Sequence, residues 1–490
     1  MLFNSFSFLL FFPIVTLIYF LVPHKIRYLW LLGASYFFYM SWNPKYALLI
    51  ATSTVITYLS GLLIDSSKSR FKRKLWVGLS FASNLAILFF FKYFDFAVTN
   101  LGRIMASMGI EFMQPTFDVI LPVGISFYTF QALSYTMDVY RREIFVEKNI
   151  AKYALFVSFF PQLVAGPIER SKNLLVQIEA RHYFDYDRVK SGLLLMLWGL
   201  FLKLVIADRV AILVNLVYGD YAQYAGLQLV IATLLFGIQI YCDFGSYSYI
   251  AIGSAQVMGF TLMENFKQPY FARSIAEFWQ RWHISLSTWF RDYLYIPLGG
   301  NRKGKFRKYI NIMIVFIVSG LWHGASWNFV IWGALHGIFQ VIGLITRPFK
   351  AKVADRLGVD RINFSYQLGQ GIITFFLVNF AWIFFRAPNF TAARGIIDRI
   401  LLEWNPWIFS DGSLYELGLS RANLTVAMIG IFIMIGTSIA KRKGFEIRAS
   451  LARQGLLFRW SVYFALIFTI IIFGIYGPGY SESQFLYFQF

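Results

Sequence analysis

The chain has 490 residues, 58% of them hydrophobic and only 14% charged, with a formal net charge of +20. A soluble chain of this length needs a far more polar surface, so composition excludes a string of soluble domains and predicts a polytopic helical membrane protein. The basic surplus sits in clusters between apolar runs, which encodes membrane topology and argues against nucleic acid as a partner.

In chain order, residues 3–22 open the pattern. They lack the basic leading region and small-residue cleavage site of a signal peptide, so they predict a retained first span. Further apolar runs cover about 28–41, 46–64, 76–96, 118–137, 150–168, 191–217, 228–258, 310–345, 366–388, 423–440 and 460–478. The run 150–168 is interrupted by Pro161, Gly166 and Pro167 and is expected to re-enter rather than span. The basic loops Lys68 to Lys74, Arg302 to Lys308, Arg347 to Arg361 and Lys441 to Arg459 are expected to face the cytoplasm. The mixed-charge segment 389–422 is then an extracytoplasmic loop, and both chain ends lie outside. One integral-membrane domain over residues 1–490 is expected, with no internal repeat. The single cysteine, Cys242, excludes an internal disulfide and a cysteine-rich metal site.

Residues 259–308 are too polar to span yet rich in tryptophan and tyrosine. Ser274-Ile-Ala-Glu277 has the form of a capping box. After it, Ile275, Phe278, Trp279, Trp282, Leu286, Trp289 and Phe290 recur at helical spacing, while Glu277, Arg281, Thr288, Arg291 and Asp292 fall largely on the other side. This pattern predicts one amphipathic helix at the membrane interface, ending near Pro297-Leu-Gly-Gly300. His283 lies beside its apolar stripe, where an interfacial histidine with its tip in water is the plain reading. His24 and His182 fall in short polar connectors and are expected to be solvated.

From Tyr309 to Thr346 the chain carries no acid, lysine or arginine for 38 residues, yet it holds His323 and His336. With basic residues at both ends, this run predicts a hairpin whose arms of about 19 residues each cross the bilayer once. His323 then lies ~20 Å up the first arm and His336 ~15 Å up the second. Ionisable groups at such depth face a protein interior or a water-filled cavity and are functional candidates, against the plainer possibility of a neutral imidazole bonded to a backbone carbonyl. Gly320 and Gly324 beside His323 allow close backbone approach, which suits a substrate-lined cavity.

Several chemistries fail on spacing. The histidines are separated by 40 and 13 residues, unlike the three- or four-residue spacing of zinc ligands on one helix, so no metal is expected. No GxSxG elbow marks a serine nucleophile. Gly299-Gly-Asn-Arg-Lys-Gly-Lys305 imitates a Walker A loop but is followed by Phe306, where serine or threonine would hold magnesium. A histidine without such partners still moves protons near neutral pH, and acyl transfer needs that movement in a place where water is excluded.

At these residues the sequence resembles the membrane-bound O-acyltransferases, most closely their bacterial branch of alginate O-acetyltransferases and teichoic-acid D-alanyl transfer proteins. The likeness is carried by Leu121-Pro-Val-Gly-Ile-Ser-Phe-Tyr-Thr-Phe-Gln131, Asp138-Val-Tyr-Arg141, Phe160-Pro-Gln-Leu-Val-Ala-Gly-Pro167 and Tyr241-Cys-Asp-Phe-Gly-Ser246. Its strongest part runs from Arg281 to Gly300, followed by Gly320-Leu-Trp-His-Gly324. The resemblance implies an all-α bundle with short central helices, outer and inner funnels, and re-entrant or interfacial helices. It implies that His323 is the catalytic histidine and His283 a second histidine needed for activity. Trp282 and Trp322 are expected to line the passage, Arg291 and Asp292 to contact substrate, and His336 to play a supporting part.

The function so implied is transfer of an acetyl group from a cytoplasmic donor, acetyl-CoA, for O-acetylation of an extracytoplasmic polysaccharide. An SGNH-hydrolase-like partner outside the bacterial cytoplasmic membrane would complete the task. A rival chemistry is D-alanyl transfer from a carrier protein to teichoic acid. The chain from 389 onward and its Phe488-Gln-Phe490 ending favour the acetyl branch by resemblance. A rival of another class, a lipid or glycan transporter, predicts paired charges in the spans and inverted repeats. No repeat is visible, and Asp243 is the one acid in 228–258.

Overall fold

The computed structural model describes residues 1–113, 115 and 121–477, and the Phe488-Gln-Phe490 ending lies outside them. Every element among the described residues is helical. Seven helices there are long and apolar enough to cross a membrane, so the protein is an all-α polytopic membrane protein. The first apolar run forms Phe6–Leu21, capped by the Ser5 hydroxyl, which accepts from the Phe8 N–H.

The chain divides into two compact units. The first comprises Met1–Leu193 and Ile250–Met263. Around Ile125–Arg141, whose residues are nearly all buried, stand the longer apolar helices Tyr46–Ser66 and Arg70–Leu88. The run 150–168 folds as Ile150–Ser158 and Phe160–Leu163, each too short to span at about 1.5 Å per residue. Several of the motif residues here do structural work. Gln131 donates to the Phe156 carbonyl at 2.5 Å, and Ser171 donates to the Asp138 carboxylate at 2.8 Å. Gly124 sits at φ +76°, where a side chain would also strike the Leu163 carbonyl. His182 is half-buried, with its ring 4.6 Å from that of Phe260 and its Nε2 2.8 Å from the Gln177 carbonyl. It packs as part of this unit instead of standing in solvent.

The second unit comprises Leu194–Tyr249 and Glu264–Phe490. The 38-residue uncharged run forms the expected hairpin, Gly304–His323 turning at 324–326 into Trp327–Arg356. Its glycines serve the contact between the arms, which corrects the expectation that Gly320 and Gly324 line a cavity. A Cβ at Gly320 would run into the Phe329 carbonyl, one at Gly324 into the Phe329 ring, and one at Gly333 into the Phe316 carbonyl. Small residues let two backbones approach where lipid offers no hydrophobic drive for helix association. Because the obstacle at Gly320 is backbone, Gly320→Ala should force the arms apart and cost about 1–3 kcal/mol. A lowered thermal midpoint in detergent checks this, and an unchanged one would mean that the arms can separate freely.

Two segments differ from expectation. The second arm continues helically through Arg347 and Pro348 to Arg356, so the basic stretch 347–361 is largely helix and not loop. A charge run marks where apolar solvent ends, which is not where a helix must end. The segment 389–422 contains the helix Phe390–Leu402, capped by Asn389 and burying Ala392, Ala393 and Ile396. A thirteen-residue amphipathic helix reads as mixed charge when scanned for loops.

The unit also holds a charge cluster that its sequence conceals. Lys203, in the π-helical turn Phe201–Ala207, is buried with its Nζ 2.7 Å from the Asp243 carboxylate and 2.8 Å from that of Asp208. Arg209, next in line, donates to the carbonyls of Val205 and Phe473 and to the Asn423 side chain. Asp243 is therefore one member of a buried ionic group, not a solitary acid.

A histidine cluster and the cavity beneath it

The capping box forms, with a variation. The Glu277 N–H donates to the Ser274 hydroxyl at 3.1 Å, and the Glu277 carboxylate accepts from the Arg273 N–H at 2.8 Å. Ile275–Arg281 follows, but the amphipathic helix expected to continue to Pro297 breaks at Trp282 and His283. His283 adopts φ +43°, a left-handed conformation uncommon for any residue with a Cβ. A second helix then runs Ile284–Phe290 and widens into a π turn at Arg291–Tyr295.

Asn265 holds the break. Its carbonyl accepts from the Ile284 N–H, its side-chain oxygen accepts from the Ser285 N–H, and its amide donates to the Ser248 hydroxyl. Beside it, the Lys267 N–H donates to the Arg281 carbonyl, and Arg281 returns a bond to the Lys267 carbonyl. The extended stretch 265–267 thus supplies the backbone bonds that an uninterrupted helix would have made for itself. Nothing in the helical periodicity marks this. The left-handed turn is the physical reason that His283 faces inward and is fully buried, not interfacial as the periodicity suggested. Burial pushes its imidazole pKa down, so the resting ring is neutral.

His323 is the last residue of the first hairpin arm, 3% exposed. Its ring meets Trp322 at 5.0 Å, Trp332 at 4.9 Å and Phe385 at 5.4 Å, each near edge-on. Trp322 in turn lies 5.9 Å from His283, whose ring also meets Phe244 at 4.6 Å. Trp332 lies 5.0 Å from His336, so one indole joins His323 to each of the other histidines. Trp282 closes the group through Phe278 at 5.4 Å and Trp382 at 5.3 Å. Five of the residues singled out by sequence, His283, His323, His336, Trp282 and Trp322, are gathered into one aromatic cluster. Arg291 and Asp292 are not in it. They pair with each other at 2.8 Å toward the surface. Sequence reasoning missed Trp332, Trp382 and Phe385, since an aromatic at helical spacing carries no mark of which neighbour it will meet.

A cavity of about 490 Å³ lies beneath the cluster. Lys308, Ile312, Val315, Phe316 and Ser319 of the first arm line it in succession, roughly 16 Å of helix. Across from them stand Trp279, Thr288, Arg291 and Tyr295. Cations thus stand near the start of the arm, and Ser319 lies one turn before His323. The volume falls in the range of small-molecule and cofactor sites. Among the described residues no three His, Cys, Asp or Glu side chains converge as metal ligands.

The membrane-bound O-acyltransferase family model matches residues 42–385, spanning the histidine cluster and most of both units. The chain belongs to the membrane-bound O-acyltransferase family. It is an acyltransferase. Among its relatives, a probable alginate O-acetylase AlgI of Pseudomonas putida is 38% identical over the whole of both chains. A peptidoglycan O-acetyltransferase of Helicobacter pylori is 36% identical over 75% of this chain and 72% of its own. A teichoic acid D-alanyltransferase of Bacillus subtilis is 29% identical over 46% of this chain and 60% of its own. Family membership also settles the class against a transporter, which the paired charges at Lys203 would otherwise have favoured.

Proposed function

We propose that this acyltransferase takes an acetyl group from acetyl-CoA on the cytoplasmic side and passes it outward for O-acetylation of an extracytoplasmic polysaccharide, with His323 as the catalytic residue. The observation that carries this is the cavity rising along the first arm from Lys308 to Ser319, one turn short of His323. Arg291 and Lys308 supply positive charge where the phosphates of the donor would rest, and the apolar stretch above suits a thin thioester-bearing arm.

In this reading an acceptor hydroxyl reaches His323 from the other side. The neutral imidazole takes its proton, the oxygen bonds to the thioester carbonyl carbon, the carbon–sulfur bond breaks, and the proton passes to the departing thiolate. The surrounding rings exclude water, which would otherwise hydrolyse the thioester. His283 and Trp322 shape the passage. An SGNH-hydrolase-like partner outside the cytoplasmic membrane receives the acetyl group, a division of labour supported by the resemblance to the alginate branch. The acetyl reading is favoured over D-alanyl transfer by the extent of the likeness, full length for the alginate relative and under half of this chain for the D-alanyl relative.

Inside-out vesicles carrying the protein, fed acetyl-CoA labelled in its acetyl group, test the reading. Protein-dependent transfer of label to acceptor is expected. Uptake of unmodified donor with no transfer, or transfer only from a D-alanyl carrier protein, would overturn it.

A further inference from the structure

We propose that Trp279 sets the length of acyl group the enzyme accepts, and that His336 is the residue that holds Trp279 in place. This rests on the donor reading above. Trp279 lines the cavity, yet its indole also lies 5.4 Å from Phe316 and 5.6 Å from Trp332, whose ring touches His323 at 4.9 Å. The indole therefore stands between the cavity and the rings that surround His323. Trp279, Phe316 and Ser319 line the end of the cavity nearest His323.

The indole is not free to swing aside. Its Nε1–H donates to Nδ1 of His336 at 3.2 Å, and both side chains are buried. The imidazole is itself clamped, lying nearly parallel to Phe278 at 6.2 Å and to Phe316 at 6.3 Å. An Nδ1 that accepts puts the ring's proton on Nε2, so His336 is fixed in one tautomer by its neighbour. It is a positioning residue: the bond from Trp279 satisfies Nδ1, while Nε2 is buried among the rings without a hydrogen-bond partner among the described residues. A wall held this firmly rejects added carbon by contact, since one surplus methylene in such a pocket changes specificity by roughly 10–200-fold. Taking the indole away opens space toward Trp332 that a longer chain can fill.

The test feeds acetyl-, butyryl- and octanoyl-CoA, each labelled in the acyl group, to vesicles carrying the full chain, and reads the ratio of transfer rates. The wild-type chain should favour acetyl. Trp279→Ala should shift the butyryl-to-acetyl ratio toward butyryl by tenfold or more. His336→Leu, which removes the acceptor, should shift it the same way, His336→Gln should restore part of the preference, and the Trp279→Ala/His336→Leu pair should go no further than Trp279→Ala alone. Should Trp279→Ala fail to insert, Trp279→Phe and His336→Leu carry the same comparison. An unchanged chain-length profile in variants that still transfer acetyl overturns the proposal. So does loss of all transfer in His336→Leu with an unaltered profile in the Trp279 variant, which would place His336 in the chemistry. Failure of the wild-type chain to transfer any acyl group from a CoA donor sinks the donor reading instead, and this one with it.

Discussion

Replacing His323 with alanine is expected to lower acyl transfer by about 10²–10⁴-fold, the usual worth of a positioned acid–base group. The protein should still reach the membrane at a normal level. The ring packs edge-on against Trp322, Trp332 and Phe385, so alanine also leaves a hole, and a loss of activity alone would be ambiguous. His323→Asn, nearer in shape, separates the two effects. It should retain most of the thermal stability while transfer falls by a similar factor, measured with labelled acetyl donor in vesicles. Substantial transfer by either variant would remove His323 from the chemistry and leave it as a packing residue.

The largest effect on stability should come from Lys203→Met. The ammonium is 1% exposed and is shared between Asp208 and Asp243, so its removal takes from two buried carboxylates the cation that both bind. Breaking a buried ionic group in this way costs about 3–5 kcal/mol. A sharply lowered thermal midpoint in detergent, or loss of the protein from the membrane fraction, is the expected result. Lys203→Met combined with Asp243→Asn should recover part of the loss, because one of the two buried negative charges is gone. A single variant as stable as the wild type would mean that water reaches the group.

Membrane character and the hairpin were legible in the sequence because both rest on hydropathy and on the placement of charge, which the bilayer reads directly. Depth in an uncharged run marked His323 and His336 together, and the family resemblance set His323 apart. What escaped was each feature made by residues distant in sequence. Lys203 and Asp243 lie 40 positions apart, and each alone reads as an expensive charge in an apolar run. Trp279 and His336 are 57 apart, and their hydrogen bond turns a stripe aromatic into a cavity wall. Helical periodicity ran straight through Trp282 and His283, because a break held from outside by Asn265 leaves no glycine or proline to announce it. Glycines 320 and 333 were noticed or passed over by their neighbours in sequence, whereas their work is done against residues of the opposite arm.

The left-handed backbone at His283 has a consequence for how this enzyme can be altered. Glycine would occupy that conformation freely, whereas a residue with a Cβ does so at a cost of roughly 1–2 kcal/mol. The position therefore sets two demands against each other, the comfort of the main chain and the presence of an imidazole. A substitution search guided by backbone comfort alone would remove the ring that packs against Phe244 and Trp322, and with it the imidazole that the proposed acyl transfer uses.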